Sequence, residues 1–196
     1  MPLAPEEERK RRTDLDATEL GRFRPYLLML ARMQVDEMLQ AKLDASDVVQ
    51  QSLLEAHGAI DQFRGKCGAE MAAWLRRILA RNLADEFRRF RRDKRNVQWE
   101  ASLQVALDES TVRLERWLAI EESSPSDRAI ANEQLLHLAD AIVRLPNDQR
   151  RVVELHHLQG NTAAAIAAKL GKTEVAVAGL LRRGLKRLRE LMREQD

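Results

Sequence analysis

Apolar residues recur at intervals of three and four along most of this chain, and this spacing places them on one face of an α-helix. The clearest run contains Trp74, Leu75, Ile78, Leu79 and Leu83. Runs of alternating β-branched residues are sparse, whereas Leu, Ala, Arg and Glu, which lose little side-chain freedom in a helix, are abundant. The sequence therefore predicts an all-α fold and excludes an all-β, a collagenous or a disordered acidic chain.

The sequence contains little that could support disulfide, metal or membrane chemistry. Cys67 is the only cysteine, which excludes an internal disulfide and a thiolate zinc cluster. The longest apolar stretch, Tyr26 to Ala31, is far shorter than the roughly 18 residues of a membrane span. The charged N-terminus lacks the apolar core of a signal peptide. We therefore expect no membrane span and a cytoplasmic protein.

Candidate catalytic groups are also few. Glu154 and His157 have the Glu-x-x-His spacing that forms half of a metal site in some helical bundles, but the second half is missing from the sequence. No Gly-rich phosphate loop and no nucleophile elbow occur in it. A small metal-dependent bundle enzyme is disfavoured, and we expect no catalytic residue, no metal and no other cofactor.

Charge is arranged in four blocks of alternating sign, although the net formal charge is only +2. Residues 34–61 contain six acids and one lysine, and residues 74–95 contain nine basic residues and three acids. Residues 96–133 contain eight acids and three arginines, and residues 172–193 contain seven basic residues and two acids. Two basic helical blocks indicate two contacts with one polyanion. Solvated helix faces of mixed sign are the alternative interpretation.

Residues 161–192 have the layout of a helix-turn-helix motif. A short helix capped by Asn161 or Thr162 ends before Gly171, which suits the left-handed residue at the end of a helix. The second helix, from Glu174 to Met192, is expected to enter the DNA major groove. Its expected inward residues are Val177, Leu181, Leu185, Leu188 and Met192, and its expected outward residues are Ala178, Arg182, Arg183, Lys186 and Arg189.

Caps and breakers predict further helix boundaries. Asp44 is placed to cap one helix, and Pro25 is placed in the first turn of an earlier one. A long helix is predicted from Met71 to Phe90. The acidic stretch at residues 96–130 is predicted to be a linker that contains one short helix from Ser110 to Ile120.

Several segments resemble those of bacterial sigma factors. Residues 145–155, together with the helix-turn-helix that follows, are similar to region four. Residues 47–51, 60–65 and 74–82 are similar to region two. Their order and spacing resemble the extracytoplasmic-function (ECF) sigma factors, which lack the extra regions of primary sigma factors. Residues 175–188 are most similar to the form found in planctomycete members.

The resemblance implies an all-α chain of two small helical domains. A region-two helical bundle at residues 18–95 follows a flexible lead at residues 1–17, and a region-four helix-turn-helix domain at residues 131–196 follows the linker. The implied function is that of a subunit that binds core RNA polymerase, recognises a bipartite promoter and directs transcription initiation. The implied partners are core polymerase, duplex and single-stranded promoter DNA, and an anti-sigma factor.

The resemblance also assigns roles to individual residues. Docking on the coiled coil of the largest polymerase subunit is assigned to Asp44, Asp47, Val48, Gln50 and Gln51. Promoter melting, including the loop that holds a flipped-out base, is assigned to Gly65, Lys66, Arg76, Arg77, Arg81, Asn82, Asp85, Arg88 and Arg89. Contact with the upstream element through the recognition helix is assigned to Lys172, Thr173, Glu174, Ala178, Arg182, Arg183 and Lys186.

Two alternative functions remain open at this point. A stand-alone helix-turn-helix regulator would bind duplex DNA without polymerase. A helical adaptor would bind acidic proteins and would not show the steep salt dependence that phosphate contacts impose. The chain also differs from the family pattern at Ala165, where an acidic residue is usual, and at Ala178 and Gly179, where Arg or Lys followed by Ser is common.

Overall fold

The computed structural model of the protein describes residues 18–35, 43–65, 68–90, 97–121 and 128–194, and every regular element in these ranges is helical. The predicted all-α class is therefore confirmed, while the predicted flexible lead lies outside the described residues. The elements are α1 (Arg24–Gln34), α2 (Ala45–Gly58), a 3-10 helix (Ile60–Gln62), α3 (Gly68–Phe90), α4 (Val97–Glu121), α5 (Arg128–Val143), α6 (Asn147–Val153), a π-helix (Glu154–Leu158), α7 (Ala163–Leu170) and α8 (Glu174–Arg193).

Side-chain caps start the helices where the sequence predicts them. A carboxylate oxygen of Asp44 accepts a hydrogen bond from the backbone N–H of Ser46 at 2.7 Å, at the start of α2. The hydroxyls of Thr162 and Thr173 accept 3.2 Å hydrogen bonds from backbone N–H groups in the first turns of α7 and α8. Pro25 lies in the first turn of α1. Each cap satisfies a backbone donor that has no partner within its helix.

The acidic stretch differs most from its prediction. It forms α4, a helix of 25 residues, instead of a short helix from Ser110 to Ile120. Its buried apolar residues, Leu103, Leu107, Leu114 and Trp117, form a narrow stripe in which Ser110 takes the place of one apolar residue. The apolar period is weak in the sequence because Ser110 interrupts this stripe and because Val105 and Val112 are apolar on the exposed side of the helix. The stripe packs against α3, so this segment is part of the fold.

One hydrophobic core runs through both predicted domains. It contains Leu30 of α1, Leu79 of α3, Leu114 of α4, Ile142 of α5 and Leu188 of α8, each at most 4% exposed. The division into two domains at the predicted boundaries remains a prediction, but the two parts pack against each other in this structure. A second cluster joins α6 and the π-helix to the helix-turn-helix through Val152, Leu155, Ile166, Ala167 and Val177.

Polar and ring contacts also connect the two predicted domains. The side-chain amide of Gln159 donates a hydrogen bond to the backbone carbonyl of Met33 at 3.2 Å. The rings of Trp117 in α4 and His157 in the π-helix are stacked, with centroids 4.1 Å apart. These contacts hold the C-terminal part of the chain against α1 and α4.

The helix-turn-helix is formed by α7, Gly171 and α8. Gly171 has a φ of +60°, which confirms the predicted left-handed residue, and the next backbone N–H bonds back to Ala167 O at 3.0 Å. Gly184 lets α8 approach α6, because an added Cβ would lie 3.0 Å from Val153 Cγ2. The buried residues of α8 are Val177, Gly184, Leu188 and Leu191, whereas Leu181, Leu185 and Met192 are half-buried.

Candidate nucleic-acid and polymerase interfaces

The helix α8 presents a basic surface to solvent. Arg182, Arg183 and Lys186 are exposed, together with the small side chain of Ala178. A helix-turn-helix places the N-terminal part of its second helix against base edges and its flanks near phosphates. Arg and Lys side chains can bind phosphates or guanine edges. The exposed part of α8 therefore has the chemistry of a DNA-contacting surface.

The other residues of this motif that were predicted to contact DNA lie at the start of α8 or immediately before it. Thr173 caps the helix, and Glu174 occupies its first turn, where the helix dipole favours a negative charge. The ammonium group of Lys172 lies 3.3 Å from a carboxylate oxygen of Asp148 at the start of α6. These residues position the N-terminus of the recognition helix.

Most predicted melting residues lie on the exposed side of α3 or at its boundary with α2. Arg77, Arg81, Asp85 and Arg89 are exposed, and Arg88 is partly exposed. Several already have ionic partners: Arg81 pairs with Glu55, Arg88 with Asp85, and Arg89 with Glu86. The amide of Asn82 donates to Ser52 Oγ at 3.0 Å and to Glu55 Oε2 at 3.3 Å.

Arg76 is separated from this surface. Only 13% of its side chain is exposed; its Nε donates to Asp108 of α4 at 2.7 Å and its Nη1 donates to the Tyr26 hydroxyl at 2.9 Å. The Tyr26 hydroxyl lies a further 2.7 Å from Thr111 Oγ1. This corrects the placement predicted for Arg76: neighbouring helix residues point about 100° apart, so Arg76 faces α4 while Arg77 faces solvent.

The predicted docking residues divide between surface and core. Asp44, Asp47, Gln50 and Gln51 are exposed, but Val48 is only 4% exposed and packs in the core, which corrects its predicted place on the docking surface. Asp47 and Gln51 line a groove between α2 and α3, which we call the α2–α3 groove. Its polar lining residues are Asp44, Asp47, Gln51, Asn82, Asp85, Glu86 and Arg89. With four acids and one arginine, the groove is acidic, and it joins residues predicted for docking and for melting.

The predicted base-holding loop is described only in part. Gly65 passes so close to Phe63 that an added Cβ would overlap the Phe63 ring. That ring lies 5.3 Å from the ring of Trp74, centroid to centroid. Lys66 lies outside the described residues. A larger residue at position 65 would therefore require the Phe63 ring to shift.

Sequence reasoning missed a buried charged cluster between α1 and α6. Glu154 is 8% exposed, and one of its carboxylate oxygens lies 3.8 Å from Arg150 Nε. Burial raises the pKa of the Glu154 carboxyl to about 7, and the charges of Arg150, Arg32 and Arg151 oppose that rise. The sequence contained one signal for the burial of Glu154: it directly follows Val152 and Val153, two core residues at apolar helical positions.

The structure also shows the surroundings of the two histidines at the Glu-x-x-His motif. His156 Nδ1 lies 3.0 Å from the backbone oxygen of Asn161, and the His157 ring stacks on Trp117. Among the described residues, no group of three His, Cys, Asp or Glu side chains is arranged to hold a metal ion.

Within the part of the chain that the structure describes, none of the helices combines the length and apolarity of a membrane span.

Comparison with protein families matches both parts of this architecture. Residues 22–93 match the family model "Sigma-70 region 2", which spans α1 to α3. Residues 135–188 match the model "Sigma-70, region 4", which spans the second half of α5 to most of α8. Two sigma-70 regions in this order define the class of protein.

Individual relatives agree with this class. The chain is 29% identical over 171 residues to the ECF RNA polymerase sigma factor SigD of Mycobacterium tuberculosis, covering 87% of this chain and 74% of the relative. It is 30% identical over 151 residues to the ECF RNA polymerase sigma factor BldN of Streptomyces coelicolor, covering 77% and 52%. It is 28% identical over 149 residues to the RNA polymerase sigma factor CnrH of Cupriavidus metallidurans, covering 76% and 73%. The chain belongs to the sigma-70 family, in its extracytoplasmic-function group, and directs transcription initiation as a sigma factor of RNA polymerase.

Proposed function

We propose that this sigma factor divides its tasks among three surfaces. The α2–α3 groove binds core RNA polymerase, on the coiled coil of the largest subunit. The exposed side of α3 and the loop at Gly65 contact the melted promoter element. The exposed face of α8 contacts the duplex upstream element, which makes the promoter bipartite. We also propose that the chain works in the cytoplasm without a catalytic centre of its own, and that an anti-sigma factor regulates it.

The opposite charges of two of these surfaces support this division. The α2–α3 groove has four acids and one arginine among its lining residues, which favours a basic protein partner and disfavours DNA phosphates. The exposed face of α8 has Arg182, Arg183 and Lys186, which favour phosphates. The exposed cations of α8, on a helix-turn-helix of the expected geometry, are the single observation that carries the proposed DNA contact.

The ion pairs of α3 limit its proposed role. Arg81, Arg88 and Arg89 are each paired with an acid of α2 or α3, so contact with single-stranded DNA requires them to exchange these partners. Arg77 is exposed on the same helix. We therefore propose that Arg77 is the first of these arginines to meet the DNA backbone.

Co-elution with bacterial core RNA polymerase tests the docking proposal. Asp47→Arg places a positive charge in the α2–α3 groove and is expected to abolish the stable co-elution of the wild-type chain. Glu109→Arg, the same charge change at an exposed position of α4, is the matched control and is expected to co-elute. Equal co-elution of both variants would show that docking uses another surface. Absence of co-elution for the folded wild-type chain would favour the stand-alone regulator.

A further inference from the structure

Val175 is the most exposed large apolar side chain among the described residues, with 83% of its surface accessible. It lies in the first turn of α8, two residues after the Thr173 cap. At helical spacing it shares one stripe with Gly179, Arg182 and Lys186, on the side opposite the buried residues of α8. This stripe is therefore apolar at the N-terminal end of the recognition helix and basic further along.

The N-terminal part of this helix offers very few hydrogen-bonding groups. Between residues 174 and 181 only Glu174 has a polar side chain. Ala178 is small and exposed, and Gly179 has no side chain to hold the backbone away from a neighbouring surface. The positions where Arg or Lys with Ser is common in the family thus hold Ala178 and Gly179. Bidentate side-chain hydrogen bonds to bases are not available from this pair.

We propose that Val175 contacts the 5-methyl group of a thymine in the major groove of the upstream promoter element. This inference rests on the proposed contact of α8 with duplex DNA. The N-terminal residues of a recognition helix reach base edges, and thymine is the base that presents a methyl group there. Val175 can remove that methyl from water, whereas a base without it leaves the valine against a polar edge.

The arrangement of the stripe supports a base contact at Val175 and phosphate contacts further along. Arg182 lies seven residues, about 10 Å along the helix axis, beyond Val175. Arg182 and Lys186 therefore reach the sugar-phosphate backbone from the C-terminal half, while Gly179 permits close approach between the two ends. The upstream element accordingly contains an A·T pair at the position that faces Val175.

Replacing single thymines by deoxyuridine tests this contact, because deoxyuridine lacks only the methyl group. A duplex is first selected from a random-sequence pool by holoenzyme reconstituted with the full chain. Each thymine of its upstream element is then replaced in turn, and the dissociation constant of the holoenzyme is measured. One replacement is expected to weaken binding by the wild-type chain about fourfold, the value for one buried methyl group.

The same series is measured with Val175→Ala, and with Val112→Ala, an exposed valine of α4, as the matched control. Val175→Ala is expected to weaken binding of the thymine duplex and to abolish the effect of that one replacement, whereas the control retains it. A replacement effect that is the same in the wild type and in Val175→Ala would overturn the contact while leaving the function intact. A holoenzyme that selects no duplex would overturn the proposed function and this inference together.

Discussion

At the scale of single residues, the environment decides what a charged side chain can do. Arg76 and Arg77 are adjacent in the sequence, yet Arg76 is held by Asp108 and Tyr26 while Arg77 is exposed. In α8 the exposed cations Arg182 and Arg183 stand on a helix whose opposite side is buried. These placements separate residues that are available for DNA from residues that stabilise the fold.

Removing the exposed arginines of α8 is expected to weaken upstream-element binding. Arg183→Ala should cost about 1–3 kcal/mol if Arg183 contacts a base edge, and Arg182→Ala, which removes a proposed phosphate contact, should cost less. A lost phosphate contact should also reduce the slope of log affinity against log salt by about one. Fluorescence anisotropy over a range of salt concentrations measures both effects.

Arg193→Ala, at the exposed C-terminal end of α8, is the control for a lost positive charge and should bind nearly as the wild type does. Wild-type affinity in both Arg182→Ala and Arg183→Ala would mean that another face of the chain binds the duplex.

Glu154 is expected to make stability depend on pH. Its pKa is about 7 in the folded chain and 4.5 ordinarily, so between these values the unfolded state releases a proton that the folded state keeps. The free energy of unfolding should therefore fall as pH rises through this window, by about 3 kcal/mol at most. Glu154→Gln should flatten this dependence and stabilise the chain above pH 7.

Urea unfolding at about pH 5 and about pH 8 measures this effect. The exposed Glu109→Gln is the matched control and should retain the wild-type pH dependence. If Glu154→Gln showed the same fall in stability as the wild type, the carboxyl of Glu154 would not be its source.

At the scale of elements, the sequence predicted the features that neighbouring residues specify and missed those that depend on contacts with distant elements. The helix-turn-helix is specified by local chemistry, namely the caps at Thr162 and Thr173 and the turn at Gly171, and the prediction of its two helices is confirmed. The extent of α4 was not predicted, because its narrow apolar stripe becomes recognisable as a buried face only when α3 packs against it. Arg76 and Val48 were misplaced for the same reason, since burial by a distant element leaves no local signal.

The turn between α7 and α8 gives a prediction at this scale. Gly171→Ala should destabilise the chain by about 1–2 kcal/mol, because a Cβ is unfavourable in the left-handed conformation. A Cβ there would contact nothing within 4 Å, so backbone conformation alone accounts for the loss. Gly171→Asn should cost less, since asparagine tolerates this conformation. Urea unfolding measures both, and an unchanged Gly171→Ala would contradict the assigned role.

At the scale of the whole molecule, the core connects parts that the family pattern treats as separate domains. Leu114 of α4 is fully buried in the same core as residues of α1 and α8, and Trp117 stacks on His157. The free chain in this conformation is therefore a continuous packed structure over its described residues. Whether the two parts unfold separately can be measured directly.

We expect one cooperative unfolding transition for the free chain. Far-ultraviolet circular dichroism, which reports all helices, and tryptophan fluorescence, which includes Trp117, should give the same denaturation midpoint. Leu114→Ala should lower both midpoints together, with a loss of about 2–5 kcal/mol. Val112→Ala, at an exposed position of the same helix, should change neither. Two separated transitions would show that the parts are independent.

The burial of Arg76 beneath α4 has a consequence for the energetics of promoter binding. With 13% of its side chain exposed, Arg76 becomes accessible to a phosphate only when α4 moves away from α3. DNA that binds Arg76 would therefore compete with α4. The competition is reciprocal: docking of α4 lowers the affinity for this DNA by the same factor by which the bound DNA favours release of α4. An affinity measured on the free chain would then be the intrinsic affinity multiplied by the fraction of molecules in which α4 is undocked.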